Sequence, residues 1–157
     1  MKPAALCAIG CLVAAPALAE SWTVDSVGQA DDLSTMHQVA EGHMIMQTHS
    51  VYTEMVDADP SNPLHGATGP CFGAMEIKPP EIAGGGHCVY TSADGDMISI
   101  GWQVTGMTES GGSTGTWTLM GGSGRFEGSS GGGEFEVAND MEAKTETNKV
   151  SGEITLP

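Results

Sequence analysis

From His43 onward the sequence is broken at short intervals by glycine, proline and Asp-Gly, and no stretch between the breaks carries the apolar repeat of a long amphipathic helix. That cadence dictates short extended segments joined by tight turns. His43 to Val56, Cys71 to Ile77 and His87 to Ser92 read as strands, separated by Asp59-Pro60-Ser61-Asn62-Pro63 and by Pro79-Pro80, with Gly84-Gly85-Gly86 opening the third. Asp94-Gly95, set between Cys88-Val89-Tyr90-Thr91 and Ile98-Ser99-Ile100-Gly101-Trp102, predicts a two-residue hairpin turn. In Thr114 to Met120 threonines alternate with Trp117 and Leu119, so one face of that strand is buried. Arg125-Phe126-Glu127, Glu134 to Val137 and Thr145 to Leu156 continue the series. Seven or eight such strands predict an all-β antiparallel barrel or sandwich. Closure into a barrel would remove the edges that a glycine-rich sheet must otherwise protect. Many of the strands are only weakly hydrophobic, so two interiors are open: an incompletely filled one, which makes a ligand cup, and a plain core.

The N-terminal end has a different character. Lys2, an apolar run from Ala4 to Ala15 and Ala17-Leu18-Ala19 form the pattern of a secretory signal peptide cleaved after Ala19. The run is too short for a permanent membrane anchor, and Ala8-Ile9-Gly10 before Cys11 is a poor lipoprotein signal. The expected organisation is a signal peptide over 1–19, an extended arm over 20–42 and a barrel over 43–157. Within the arm, Asp31 to Val39 can form a short helix capped by Asp32 or Ser34. The protein is therefore expected to be exported, to the periplasm or outside the cell.

Charge excludes two classes of partner. The chain has 5 Lys and Arg against 20 Asp and Glu, a net charge of −15. A nucleic-acid binder needs cations to neutralise phosphates, and an anionic membrane repels such a surface. Loss of the signal removes Lys2 and leaves Lys78, Arg125, Lys144 and Lys149 as the basic groups. Loss of Cys7 and Cys11 leaves one cysteine pair, Cys71 and Cys88, which compartment and parity read as a disulfide. The rival role for Cys88 is a nucleophile activated by His87. Adjacent strand residues face opposite ways, which places that histidine badly.

At Gly121-Gly122-Ser123-Gly124-Arg125-Phe126-Glu127-Gly128-Ser129-Ser130-Gly131 the chain resembles the hairpin of the allene oxide cyclase family and, more loosely, that of the dirigent proteins. Gly115 to Leu119 and Cys88 to Asp96 are similar to further segments of exported bacterial relatives, and the resemblance spans Thr68 to Val137. It implies a small eight-stranded antiparallel barrel with a cavity, in many members oligomeric. The motif residues Gly121, Gly122, Ser123, Gly124, Phe126, Glu127 and Gly128 are structural: the glycines allow the turn and Phe126 is an apolar plug. Plant cyclases hold a carboxylate in an apolar cavity. Glu54, late in the first strand, is the candidate for that place, and no catalytic residue is carried over from the family.

The remaining chemistry lies in Met36-His37, His43-Met44-Ile45-Met46, His49 and Met55. Thioether and imidazole suit copper. His43 and His49 stand about 20 Å apart on a strand and cannot share an ion, whereas Met44 and Met46 lie on one face about 7 Å apart. The bland role of these methionines is to fill the barrel wall. Asp94-Gly95-Asp96 lacks the spaced acids of a calcium loop, and no nucleophile elbow, zinc-binding or phosphate-loop motif occurs. The expectation is a non-catalytic binder of a small hydrophobic molecule or partner, with no cofactor. The alternatives are a cyclase or isomerase working in the cavity, and a copper-binding protein using Met44, Met46 and a histidine.

Overall fold

The computed structural model describes residues 19–157; apart from Ala19, the expected signal peptide lies outside the described residues. Nine strands follow one another: β1 (Glu20–Asp32), β2 (Thr35–Ala40), β3 (His43–Asp57), β4 (Gly69–Lys78), β5 (Glu81–Thr91), β6 (Met97–Met107), β7 (Ser113–Gly122), β8 (Ser130–Asp140) and β9 (Thr145–Leu156). Each of β3 to β8 pairs antiparallel with the next. β1 then closes the circle, pairing with β9 from Glu20↔Leu156 to Asp31↔Thr145 and with β3 from Ser26↔Asp57 to Asp32↔Ser50. β2 continues the line of β1 along β3, from Thr35↔Gln47. The result is a closed eight-stave antiparallel barrel.

Residues 20–42 are therefore wall, where an arm with a short helix was expected. Along β1 the buried positions are Val24, Ser26, Gly28 and Ala30, a strict period of two. The small, weakly apolar residues at those places disguise an inner face as a linker. Asp32 and Ser34 do act as local hydrogen-bonding residues, but not as helix caps. Asp32 Oδ1 accepts the Ser34 amide at 2.9 Å, and Ser34 Oγ accepts the His49 amide at 3.0 Å. These contacts break the chain between β1 and β2 and hold the break against β3.

The Asp94-Gly95 turn is also longer than expected. Thr91↔Met97 is the last pair of β5 and β6, leaving Ser92 to Asp96 as a five-residue loop. Ser92 Oγ and the Ser92 amide take up the Asp96 backbone within it, and Gly95 supplies the positive φ of +92°. Gly84-Gly85-Gly86 lies inside β5 and not at its start. A Cβ on either Gly73 or Gly86 would stand 2.6 Å from the Trp102 ring, so the two glycines make a flat bed for that indole.

One end of the barrel is plugged. Phe126, carried on a single 3-10 turn (Gly124–Phe126), has no exposure, nor have Ile98 and Ile154 beside it in the core. Ser123 holds the turn in place by bonding Met97 through both its amide and its hydroxyl, each at 2.9 Å. Arg125 bonds Asp94 across the two loops at 3.2 Å. The 58–68 loop adds Leu64 and Ala67 to the same plug. Cys71 and Cys88 are direct partners across β4 and β5 and form a disulfide. With 17 residues of separation, the bridge stabilises the fold by roughly 3 kcal/mol in the chain-entropy picture.

Candidate functional site

Between the plug and the other end the barrel holds a cavity of about 110 Å³, well above the space one water molecule needs. Its walls are mostly apolar, with Met55, Ile100, Val104, Trp117, Phe135 and Val150 among them. It extends to Ser34, Met46, Met75 and Asn139 toward the end at which β3 begins and β4 ends. Strand alternation explains the lining: every second residue of β3, β4, β6 and β9 points inward.

A polar group is built into this apolar space by β3 and β9. Glu146 accepts a hydrogen bond from Tyr52 at 2.6 Å and one from Ser50 at 2.8 Å, and Asn148 donates to the Tyr52 oxygen at 2.9 Å. Burial raises the Glu146 carboxyl above its ordinary value, aided by the charge of Asp32; the bonds from Tyr52 and Ser50 work the other way and do not cancel it. Burial also drives the Tyr52 and Tyr90 hydroxyls upward, so both keep their protons and serve as donors. Tyr90 meets Tyr52 edge to face with ring centroids 5.5 Å apart, and its hydroxyl donates to Cys71 Sγ at 2.9 Å.

Three further polar atoms in the lining have no protein partner: Thr48 Oγ1, Trp102 Nε1 and Asn148 Oδ1. They comprise an indole donor, an amide acceptor and a hydroxyl of either kind. An unpaired buried group of this sort costs about 1–3 kcal/mol, so the arrangement is one that a bound polar group or water completes.

The linkage at Glu146 has a definite sign. Its folded-state value lies above its unfolded one, so its contribution to stability is full at low pH and is lost as pH rises through the folded value. Glu146→Gln should therefore gain stability over the natural protein as pH is raised from about 4 to 8. Urea unfolding across that range checks this, and a difference independent of pH contradicts it.

The residues expected from sequence are dispersed. Glu54 pairs with Gln29 on the outer surface and is exposed, because a bulge between Gln29 and Ala30 leaves Thr53 without a partner and turns Glu54 outward. It does not reach the cavity. His43 sits 2.8 Å from Glu76, and His49 is exposed; both occupy the outer face. Met44 and Met46 share the inner face, so the two methionines and the histidines cannot form one site. Glu76 itself is held below its ordinary value chiefly by Lys78, with His43 adding to the effect. Among the described residues, no group of three or more His, Cys, Asp or Glu side chains is placed to hold a metal.

The carboxyl inside the barrel is Glu146, which sequence reading passed over. Its signal was present. Val150, Ile154 and Leu156 mark the inner face of the last strand, and counting back by twos reaches Asn148 and Glu146.

No protein-family model and no curated protein matches this sequence. Among solved structures, that of the pterocarpan synthase dirigent protein GePTS1 matches with a TM-score of 0.53 at 13% identity, over 88% of this chain and 91% of that one. The barrel fold is shared with that dirigent protein. At that identity the likeness fixes the path of the chain, and every functional residue of this dirigent-like barrel has to be argued from its own geometry. No helix among the described residues is long and apolar enough to cross a membrane.

Proposed function

We propose that the protein is an exported, non-catalytic barrel that binds a small, largely hydrophobic molecule carrying one polar head. The observation that supports this reading is the pairing of an apolar cavity with unsatisfied polar atoms on Thr48, Trp102 and Asn148. An apolar body fits the walls, and a hydroxyl or carbonyl on it would bond the indole or the amide. The signal pattern over 1–19 and the Cys71–Cys88 disulfide support export. Native mass spectrometry of the protein purified from its own cells tests the reading. A bound organic mass that is lost on denaturation is expected, and a bare chain that also takes up no neutral apolar probe would overturn it.

Glu146 favours a second reading, a cyclase or isomerase. A carboxyl that burial makes a weaker acid than usual is suited to exchange a proton with a bound molecule, with Tyr52 and Ser50 fixing its orientation. The dirigent neighbour is itself named a synthase. The two readings part at Glu146→Gln: a binder keeps its ligand unchanged, whereas an enzyme keeps binding and loses turnover.

A further inference from the structure

The methionines that sequence reading grouped by proximity along the chain are regrouped by the sheet. Met36 of β2 is the register partner of Met46 of β3, and Met46 is the partner of Met75 of β4. Register partners point to the same face with Cβ atoms about 5 Å apart. The three thioethers therefore form one row across three adjacent strands, and two of them, Met46 and Met75, line the cavity. Met44 lies on the same face one step along β3, where its partners are Gln38 and Ile77.

This row is more open than the core, against which Met75 packs. Met36 is about half exposed at 47%, and Met46 and Met75 are only partly buried, whereas Met55 deeper in the barrel is fully covered. The next position of the row, on β5, is Gly84, and the Met75 side chain lies over it, with Cγ 2.8 Å from where a Cβ would stand. Methionine has three rotatable bonds and a polarisable sulfur, so three side chains rooted this closely can turn their sulfurs to a common point with no backbone movement. Beside the row Ile77, Ile82 and Val104 are apolar, and the polar lining residues at this end, Ser34, Thr48 and Asn139, are uncharged and none is a carboxylate, which disfavours calcium and magnesium. A cluster of thioethers alone selects a soft monovalent ion, and the net charge of −15 draws cations toward the barrel.

We propose that Met36, Met46 and Met75 form a three-thioether site for Cu(I) at the rim of the cavity, with Met44 as a neighbouring sulfur on the same face. The site uses no histidine and is separate from the polar group around Glu146. Binding involves no change of oxidation state: Cu(I) exchanges its solution ligands for three sulfurs.

The test is an anaerobic titration of the full chain with Cu(I) in competition with bicinchoninate. One equivalent should bind, and copper-edge X-ray absorption should show sulfur as the sole ligand type. Binding should be lost in M36L/M46L/M75L, since leucine keeps the volume and removes the sulfur, and should be unchanged in M120L/M141L, which alters two exposed methionines elsewhere. Circular dichroism confirms that the variants fold, and the absorption measurement on the natural protein needs no variant. The absence of stoichiometric binding, a nitrogen or oxygen shell, or equal affinity in the triple variant each overturns the proposal.

Discussion

Phe126→Ala lowers the unfolding free energy by about 4 kcal/mol, a loss set by removing a large aromatic side chain from a site that cannot collapse around the gap. Phe126 has no exposure, and its Cβ lies so close to Gly122 that a side chain there would meet it at 2.8 Å. The 3-10 turn that carries it is tied to β6 by Ser123 and closed by Ser129, whose hydroxyl donates to the Phe126 carbonyl at 2.7 Å. The turn therefore cannot follow a smaller side chain inward. Denaturant unfolding measures the effect. A loss under about 1.5 kcal/mol, less than a typical large-to-small core change, would mean that Phe126 is not the plug.

Asp57→Ala should cost about as much, by a different mechanism. Asp57 lies at the seam where β1 meets β3 and is only 3% exposed. One carboxylate oxygen accepts the Ser26 hydroxyl at 2.6 Å and the Asp25 amide at 3.0 Å, and the other accepts the Asp59 amide at 2.9 Å. Alanine leaves those donors without an acceptor, and Ser26 is too deeply buried to turn to water. At 1–3 kcal/mol for each stranded group the expected loss is about 3–5 kcal/mol, or roughly 10 °C in Tm for a domain of this size. Ser26→Ala alone should cost far less. The double variant should fall short of the sum, because the two share one bond. Additive losses, or an Asp57→Ala protein as stable as the natural one, would contradict this role for the seam.

The barrel was legible in the sequence where turn chemistry and apolar alternation coincide. Thr145 to Leu156 has the observed bounds of β9, and the glycine hairpin from Gly121 delivers Phe126 to the core. It was illegible where the inner face is made of small residues. Val24, Ser26, Gly28 and Ala30 bury as completely as a hydrophobic stripe, yet their composition reads as a linker. Small residues suit these places because large ones face them: a Cβ on Gly28 would overlap the Tyr52 ring. That dependence lies between strands and leaves no local mark. The same limit hid the site. Glu54 and Glu146 both sit in strands, but one unpaired residue in β3 turns Glu54 outward, whereas plain alternation along β9 puts Glu146 inside. The methionine row depends on pairing between strands, Met36 with Met46 and Met46 with Met75, the latter 29 residues apart in sequence. Spacing along one strand favoured Met44 with Met46 instead.

The central claim is that the cavity receives a molecule with an apolar body and one polar head, and the indole of Trp102 can report it directly. The protein labelled with nitrogen-15 is titrated with p-cresol while the three tryptophan indole N–H signals are followed. Trp117 already donates to the Ser151 carbonyl at 3.0 Å, and Trp22 lies outside the cavity lining, whereas the Trp102 donor is unpaired and its residue lines the cavity. A saturable shift is expected at Trp102 together with the Asn148 side-chain amide, larger than that at the already bonded Trp117 indole, with Trp22 nearly still. Shifts that never saturate, or that fall on outer-face groups such as His87 and Gln103 while Trp102 stays fixed, would contradict it.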